Sequence, residues 1–120
     1  MAFSPAAQRE LRRSYKENPL TAGVYAVRNL VNGRLLVASS PNPEGALQRH
    51  RFELQLGGHR DRLLQQDWKQ FGPGAFRFEL LDRLKKNDDP AYDVDADLAT
   101  LLALWQAELG VAPGSGYTDA

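Results

Sequence analysis

The feature that most constrains the fold is a pair of short β-rich runs joined by a tight turn. The first run is GVYAVRN at residues 23–29 and the second is RLLVASS at residues 34–40. Between them stand Asn32 and Gly33, a pair that favours the short turns of β-hairpins. The sequence therefore predicts an antiparallel hairpin.

Apolar residues at helical spacing predict four helices. They cover the stretch from Ser4 to about Asn18, residues 44–57, about residues 59–71, and a last helix whose apolar stripe runs from Leu98 to Leu109. Residues 76–81 alternate between apolar and charged side chains, which predicts a third strand that pairs with the hairpin. The predicted fold class is α+β, with a small three-stranded, mainly antiparallel sheet flanked by about four helices.

The length of 120 residues fits one domain. We divide it into an N-terminal helix extension at 1–20, a core at 21–109 and an irregular tail at 110–120. Cysteine is absent, which excludes disulfide scaffolds, thiolate catalysis and cysteine-ligated zinc. No apolar run approaches the roughly 20 residues that span a bilayer, and the first residues lack the apolar region of a secretory signal. We therefore expect a cytoplasmic protein with no membrane partner.

The charges are balanced overall but unevenly distributed. Fifteen basic residues stand against fifteen acidic ones. Residues 1–72 hold eleven basic and six acidic side chains, whereas residues 73–120 hold four and nine. This asymmetry is compatible with a polyanion site on the first part of the chain, although partial cancellation in the folded protein is the simpler interpretation.

A cluster of basic residues surrounds the two histidines of the chain, His50 and His59, which cannot by themselves complete a metal site. Phe52 and Trp68 are interleaved with it. Its members are Arg49, Arg51, Arg60, Arg62 and Lys69. Such side chains can engage the phosphates and bases of DNA or RNA, while the alternative is a set of solvated helix charges beside core aromatics.

An aspartate-rich stretch, Asp93 to Asp97, has the first part of a calcium-loop pattern. The sixth position is Leu98 instead of glycine and the twelfth is Leu104 instead of glutamate, which excludes that loop. We expect Asp97 or its neighbour to cap the last helix.

Several strings in order carry a resemblance to a known family. They are Gly23-Val24-Tyr25, Asn29, Asn32-Gly33, Leu36 to Ser40, His50, Gly57, His59, Leu64-Gln65, Trp68, Phe71-Gly72 and, near the end, Gly116-Tyr117. The set resembles the GIY-YIG nuclease superfamily. That resemblance implies a compact three-stranded antiparallel sheet that cuts nucleic acid with one divalent metal held by a glutamate, assisted by a tyrosine and an arginine.

The resemblance carries some of the family's site residues over to this chain and not others. Tyr25 matches the tyrosine of the first motif, and His50 and His59 fall where family members often carry histidines lining the site. The departures are Leu36 for the second tyrosine, Ala38 for the glycine of that motif, Ala46 for the arginine, Leu102 for the metal glutamate and Thr118 for an asparagine.

These departures remove the chemistry that cleavage needs. A hard divalent ion loses its carboxylate anchor, and loss of a transition-state arginine is worth on the order of 10³ to 10⁵ in rate in other phosphoryl-transfer systems. The sequence therefore predicts a catalytically degenerate domain that binds nucleic acid or a protein without cleaving. Tyr25, His50 and His59 are its vestigial or candidate catalytic residues, and no metal site or cofactor is predicted.

Two alternatives stay open. The first is a metal-dependent endonuclease with a rearranged site, which would use Mg²⁺ or Mn²⁺ with Tyr25 and His50 in proton transfer. Arg49 could then replace the missing arginine, since it lies one helical turn from Ala46. The second alternative is a protein-interaction module. The sequence does not determine the oligomeric state.

Overall fold

A computed structural model of the protein describes residues 21–85 and 87–119. The elements in order are β1 (Gly23–Asn29), β2 (Leu35–Ser40), α1 (Pro43–Leu56), α2 (Arg62–Phe71), a short 3-10 turn (Pro73–Ala75), β3 (Phe76–Arg83) and α3 (Val94–Leu109). The predicted α+β class and three-stranded sheet are confirmed. The described residues hold three α-helices and not about four, because the helix expected at the N-terminus falls in residues 1–20, outside the described part.

The sheet is antiparallel throughout and has the order β2-β1-β3. Its first two strands form the predicted hairpin, with Arg28 opposite Leu35 and Gly23 opposite Ser40. In the connecting turn Gly33 has a φ of 79°, a left-handed value that glycine adopts without steric cost. The local turn chemistry therefore decides how these strands pair.

The third strand contains an irregularity beside the first tyrosine of the chain. Tyr25 lies opposite Leu80, but its neighbour Val24 lies opposite Asp82, so Leu81 is an extra residue in β3. This bulge turns Leu81 and Asp82 toward the same side of the sheet, and the strand continues beyond its predicted end at residue 81. At Gly23 a Cβ would lie 2.4 Å from the carbonyl oxygen of Asp82, so only glycine fits there.

Side-chain caps set where the helices begin. Asn42 accepts from the N–H of Gly45 at the start of α1, and Asp61 accepts from that of Leu64 at the start of α2. The Asp61 cap places the start of α2 at Arg62, later than the predicted residue 59. Asp93 caps α3, four residues before Asp97, so the predicted cap at Asp97 or its neighbour is wrong.

The helices lie on opposite faces of the sheet. α1 and α2 cover the face that carries Tyr25, Val27 and Leu36, whereas α3 covers the face that carries Val24 and Val37. None of the three described helices combines the length and apolarity needed to cross a bilayer.

The tail beyond α3 returns to the sheet. Thr118 pairs with Leu35 through two main-chain hydrogen bonds of 2.9 and 3.0 Å. Between α3 and this bridge the described tail is irregular.

Candidate nucleic-acid interface

Tyr25, His50 and His59 form a continuous chain of hydrogen bonds under α1. The Tyr25 hydroxyl lies 2.8 Å from His50 Nε2, and His50 Nδ1 lies 2.7 Å from His59 Nε2. All three residues are buried, with 5 to 8% of their surface exposed. Three elements supply them, namely β1, α1 and the loop before α2. The structure therefore brings together the three candidate catalytic residues predicted from the sequence.

Two further residues hold His59 in place. The main-chain N–H of Asp61 donates to His59 Nδ1 over 2.9 Å. The side chain of Gln65 accepts from the main-chain N–H of His59 and donates to the carbonyl of Leu54 at the end of α1. The loop between α1 and α2 is thus fixed at both ends, and with it the ring of His59.

The surroundings keep both histidines neutral. Burial, assisted by the adjacent His59 and by nearby Arg49 and Arg60, lowers the pKa of His50 to about 4, against an opposing effect of Glu53. Burial likewise lowers the pKa of His59, although the carboxylates of Glu53 and Asp61 oppose the shift.

The tyrosine hydroxyl is also uncharged at neutral pH. Burial raises the pKa of the Tyr25 hydroxyl above its usual value, while Arg49 and Arg60 partly offset that rise. The chain of rings therefore offers hydrogen-bond donors and acceptors near neutral pH, and no formal charge.

The structure divides the basic cluster into parts. Arg49 and Arg60 are close enough to change the pKa of both Tyr25 and His50. Arg51 instead lies over the ring of Phe78, with its guanidinium carbon 4.5 Å from the ring centre. Arg62 and Lys69 are exposed on α2. Within the described residues no carboxylate forms an ion pair with any of the five.

The two aromatic residues interleaved with the basic cluster have different environments. Trp68 is buried in the core beside Phe76, at 5.3 Å between ring centres. Phe52 is 60% exposed on α1, three residues from Arg49. The core interpretation therefore holds for Trp68 alone, and Phe52 is available to a ligand.

At the positions where the resemblance implies an arginine and a second tyrosine, this chain has apolar residues that are packed in the core. Ala46 is 4% exposed and Leu36 is 9% exposed, and both belong to the core cluster that contains Tyr25. Leu102 packs on the opposite face of the sheet, against the cluster that contains Val24 and Val37. None of these side chains presents a charged or metal-ligating atom.

Sequence reasoning missed a second buried polar cluster on the same face. The carboxylate of Asp67, 3% exposed, accepts from the Tyr117 hydroxyl at 2.7 Å, from Asn32 at 3.1 Å, from Arg34 at 3.2 Å and from Asn29 at 3.4 Å. Burial alone would raise the pKa of Asp67, but these hydrogen bonds outweigh it and lower the pKa. The cluster joins the hairpin, α2 and the tail.

The tail is also tied to the loop before α2. One carboxylate oxygen of Asp61 caps α2 and the other accepts from the main-chain N–H of Tyr117 at 3.1 Å. Asp61 therefore connects the Tyr25–His50–His59 chain with the Asp67 cluster. Asn29 and Tyr117 belong to the motifs identified in the sequence, but no sequence pattern indicated that Asp67 accepts hydrogen bonds from both of them.

Two solved structures are similar to this chain. One is the catalytic domain of the homing endonuclease I-TevI, with a TM-score of 0.61 and 24% identity over 83% of this chain and 99% of that domain. The other is a glutamate-to-alanine mutant of the same domain, with a TM-score of 0.60 and 25% identity over 84% and 97% of the two chains. I-TevI is a GIY-YIG homing endonuclease, so this chain has the GIY-YIG fold. No protein-family profile and no curated protein matches it.

Proposed function

We propose that this chain is a GIY-YIG-fold domain that binds the phosphate backbone of nucleic acid without cleaving it. The observation that carries the proposal is a contrast between the cations near Tyr25 and the apolar side chains at the positions where the resemblance implies an arginine and a metal-binding glutamate. Arg49 and Arg60 stand within electrostatic reach of Tyr25 and His50, whereas Ala46 and Leu102 are packed into apolar clusters. Cations beside neutral hydrogen-bonding groups suit a phosphate ligand.

Two features support nucleic acid as the ligand. The exposed ring of Phe52 lies on α1 near Arg49, and an aromatic ring beside a cation can stack on an unpaired base. The likeness to the catalytic domain of a homing endonuclease supports DNA in particular. The described residues therefore offer both a phosphate contact and a stacking surface.

The residues present do not fit a divalent metal at the position that the resemblance implies. Leu102 has no ligand atom, and a hard ion such as Mg²⁺ requires oxygen ligands. Among the described residues no group of three histidine, aspartate or glutamate side chains is arranged to hold an ion. Metal-dependent cleavage is therefore not part of the proposed function.

The decisive experiment is fluorescence anisotropy with labelled single- and double-stranded DNA and RNA over a salt series. The paired variants are Arg49→Gln/Arg60→Gln and Arg62→Gln/Lys69→Gln, which remove the same charge at different places. We expect the first pair to weaken binding more and to lower the slope of log affinity against log salt by about 2. Equal effects of the two pairs would contradict the assignment of the phosphate contact.

The same samples test cleavage. Each titration is repeated with Mg²⁺, with Mn²⁺ and with a chelator. A stable rise in anisotropy under all three conditions supports the proposal. A rise followed by a metal-dependent fall that is abolished in Tyr25→Phe would establish the nuclease alternative.

A second candidate function is protein binding, and the outer surface of α3 favours it. Leu104 is 63% exposed there and lines a cavity with Leu101 and Trp105. This surface lies on the opposite face of the sheet from Tyr25. This candidate would be supported if the protein failed to bind nucleic acid at low salt and instead associated with itself or with a protein partner, and if Leu104→Arg abolished that association.

A further inference from the structure

The direction of the hydrogen bonds through the two histidines is set by a group that can only donate. The main-chain N–H of Asp61 lies 2.9 Å from His59 Nδ1. A main-chain nitrogen has one proton and no acceptor capacity, so His59 Nδ1 must be the acceptor. The neutral ring of His59 therefore carries its proton on Nε2.

The first assignment determines the second. A neutral imidazole has one donor nitrogen and one acceptor nitrogen. The Nε2–H of His59 donates to His50 Nδ1 over 2.7 Å, so the proton of His50 stands on its Nε2. That proton is then donated to the Tyr25 oxygen over 2.8 Å.

The chain of donors ends at a hydroxyl whose own proton is free. Within the described residues, His50 Nε2 is the one hydrogen-bond partner of Tyr25 Oη. We propose that the main-chain N–H of Asp61, acting through His59 and His50, fixes the Tyr25 hydroxyl as a hydrogen-bond donor to a phosphoryl oxygen of the ligand. This inference rests on the proposed function and names the group that the site recognises.

The same polarity prevents Tyr25 from passing a proton to His50. A tyrosine acting as a base for water must first lose its own proton, and His50 Nε2 is already protonated. If donor and acceptor were exchanged in each hydrogen bond between Tyr25, His50 and His59, a proton would stand on His59 Nδ1 and face the N–H of Asp61. Adding a second proton to His50 creates the same conflict, because His59 Nε2 would then have to accept.

Asp61, His59 and His50 are positioning residues in this scheme, and Tyr25 is the residue that touches the ligand. The side chain of Gln65 supports them by fixing the main chain of His59. The contact with Asp61 fixes the tautomers whatever role the histidines have, and the proposal further requires the Tyr25 hydroxyl to contribute to binding.

The first test is NMR of the full chain labelled with ¹⁵N-histidine, without ligand at neutral pH. We expect both rings as the Nε2–H tautomer, with a scalar coupling across the hydrogen bond between His59 Nε2 and His50 Nδ1. The coupling matters because free imidazole also favours Nε2–H. A proton on His50 Nδ1, or absence of that coupling with the ring resonances resolved, would overturn the inference.

The second test is binding of a labelled thymidine oligonucleotide to Tyr25→Phe, with Tyr92→Phe as the matched control. A hydrogen bond to a charged acceptor predicts a loss of roughly 10- to 100-fold for Tyr25→Phe. Tyr92 lies between β3 and α3, and its hydroxyl donates to Asp97 and not to the site, so its variant should bind like the original protein. Equal affinity for all three proteins would also overturn the inference.

The two tests separate this inference from the function on which it rests. Failure of the original protein to bind nucleic acid, with the expected tautomers present, contradicts the proposed function and the ligand named here. Binding with a proton on His50 Nδ1 contradicts only the present inference. If Tyr25→Phe does not fold, the tautomer measurement on the original protein decides alone.

Discussion

The two faces of the sheet differ in what they bury. Beneath α1 and α2 lie two hydrogen-bonded polar clusters, one built on Tyr25 and His50 and the other on Asp67. Beneath α3 lies an aliphatic buried cluster that includes Val24 and Val37, and one polar residue of that helix, Gln106, is also buried. A buried polar group costs free energy unless it is hydrogen-bonded, so every polar group on the first face requires a specific partner.

This difference shows that the two faces of the sheet tolerate different kinds of substitution. The aliphatic face needs only volume and shape, so Leu102 stabilises the domain there by packing alone. The polar face depends on hydrogen-bond geometry, which few substitutions preserve. Changes to the two faces should therefore have different consequences for stability and for binding.

The largest effect is expected from Asp67→Leu on the polar face. The change leaves the buried donors of Asn29 and Tyr117 without the Asp67 acceptor and removes one of the two carboxylates that pair with Arg34. We expect the free energy of unfolding to fall by about 3–5 kcal/mol, measured by urea denaturation. Asp119→Leu is the control, because that carboxylate pairs with the same Arg34 in an exposed position and should change stability by less than about 1 kcal/mol. A similar loss in both variants would contradict the special role of the buried cluster.

The second-largest effect is expected from acid, which should lower the free energy of unfolding through the histidines of the polar face. The pKa of His50 is about 4 in the folded protein against 6.5 when unperturbed, so stability is full above pH 6.5 and is lost as the pH falls toward 4. The shift predicts a loss of about 3 kcal/mol over that window, to which His59 adds in the same direction. Urea denaturation at several pH values measures it. In His50→Gln the pH dependence should be clearly smaller, and an unchanged profile would show that other groups cause it.

On the aliphatic face, Leu102→Glu should cost about 2 kcal/mol, because it places a carboxylate among apolar side chains. Thermal unfolding is then followed with and without Mn²⁺. We expect Mn²⁺ to leave the melting temperature of this variant unchanged. Leu102→Gln is the neutral control, and its melting temperature should not change either. Stabilisation of the glutamate variant alone would show that position 102 reaches a metal site, and the separation of the two faces would be wrong.

The smallest effect on stability is expected from Phe52→Ala, since that ring is largely exposed. The free energy of unfolding should change by less than about 0.5 kcal/mol. Binding of single-stranded nucleic acid should weaken by about 1 kcal/mol if the ring stacks on a base. Leu56→Ala, an exposed apolar change on the same helix, should leave affinity unchanged. Equal losses in both variants would indicate a general apolar contact instead of stacking.

Much of the fold could be predicted from local patterns. The hairpin over β1 and β2 followed from the Asn32-Gly33 turn, and the helix ends followed from glycines such as Gly57, whose φ is 79°. The end of β3 could not be predicted, because the extra residue Leu81 interrupts the alternation on which the prediction depended. The start of α2 was misplaced because Asp61, and not the apolar pattern, defines it.

The candidate site could be predicted only in part. The resemblance pointed to Tyr25, His50 and His59, and the structure joins them in one hydrogen-bonded chain. The basic cluster was predicted as one surface, but it divides, since Arg51 packs over Phe78 away from the tyrosine. Asp67 gave no signal because an aspartate within a helix normally faces solvent.

The sequence by itself determined the order of the elements, the hairpin, the glycines that end the helices and the residue types available for chemistry, because turn preference and periodicity act over a few neighbouring residues. Only the tertiary structure decided that Tyr25 ends a directed chain of hydrogen bonds that begins at Asp61, and that Leu102 lies across the sheet from it. These relations join residues far apart in the chain. They depend on distances and on which face of the sheet each side chain occupies, and no local pattern encodes either.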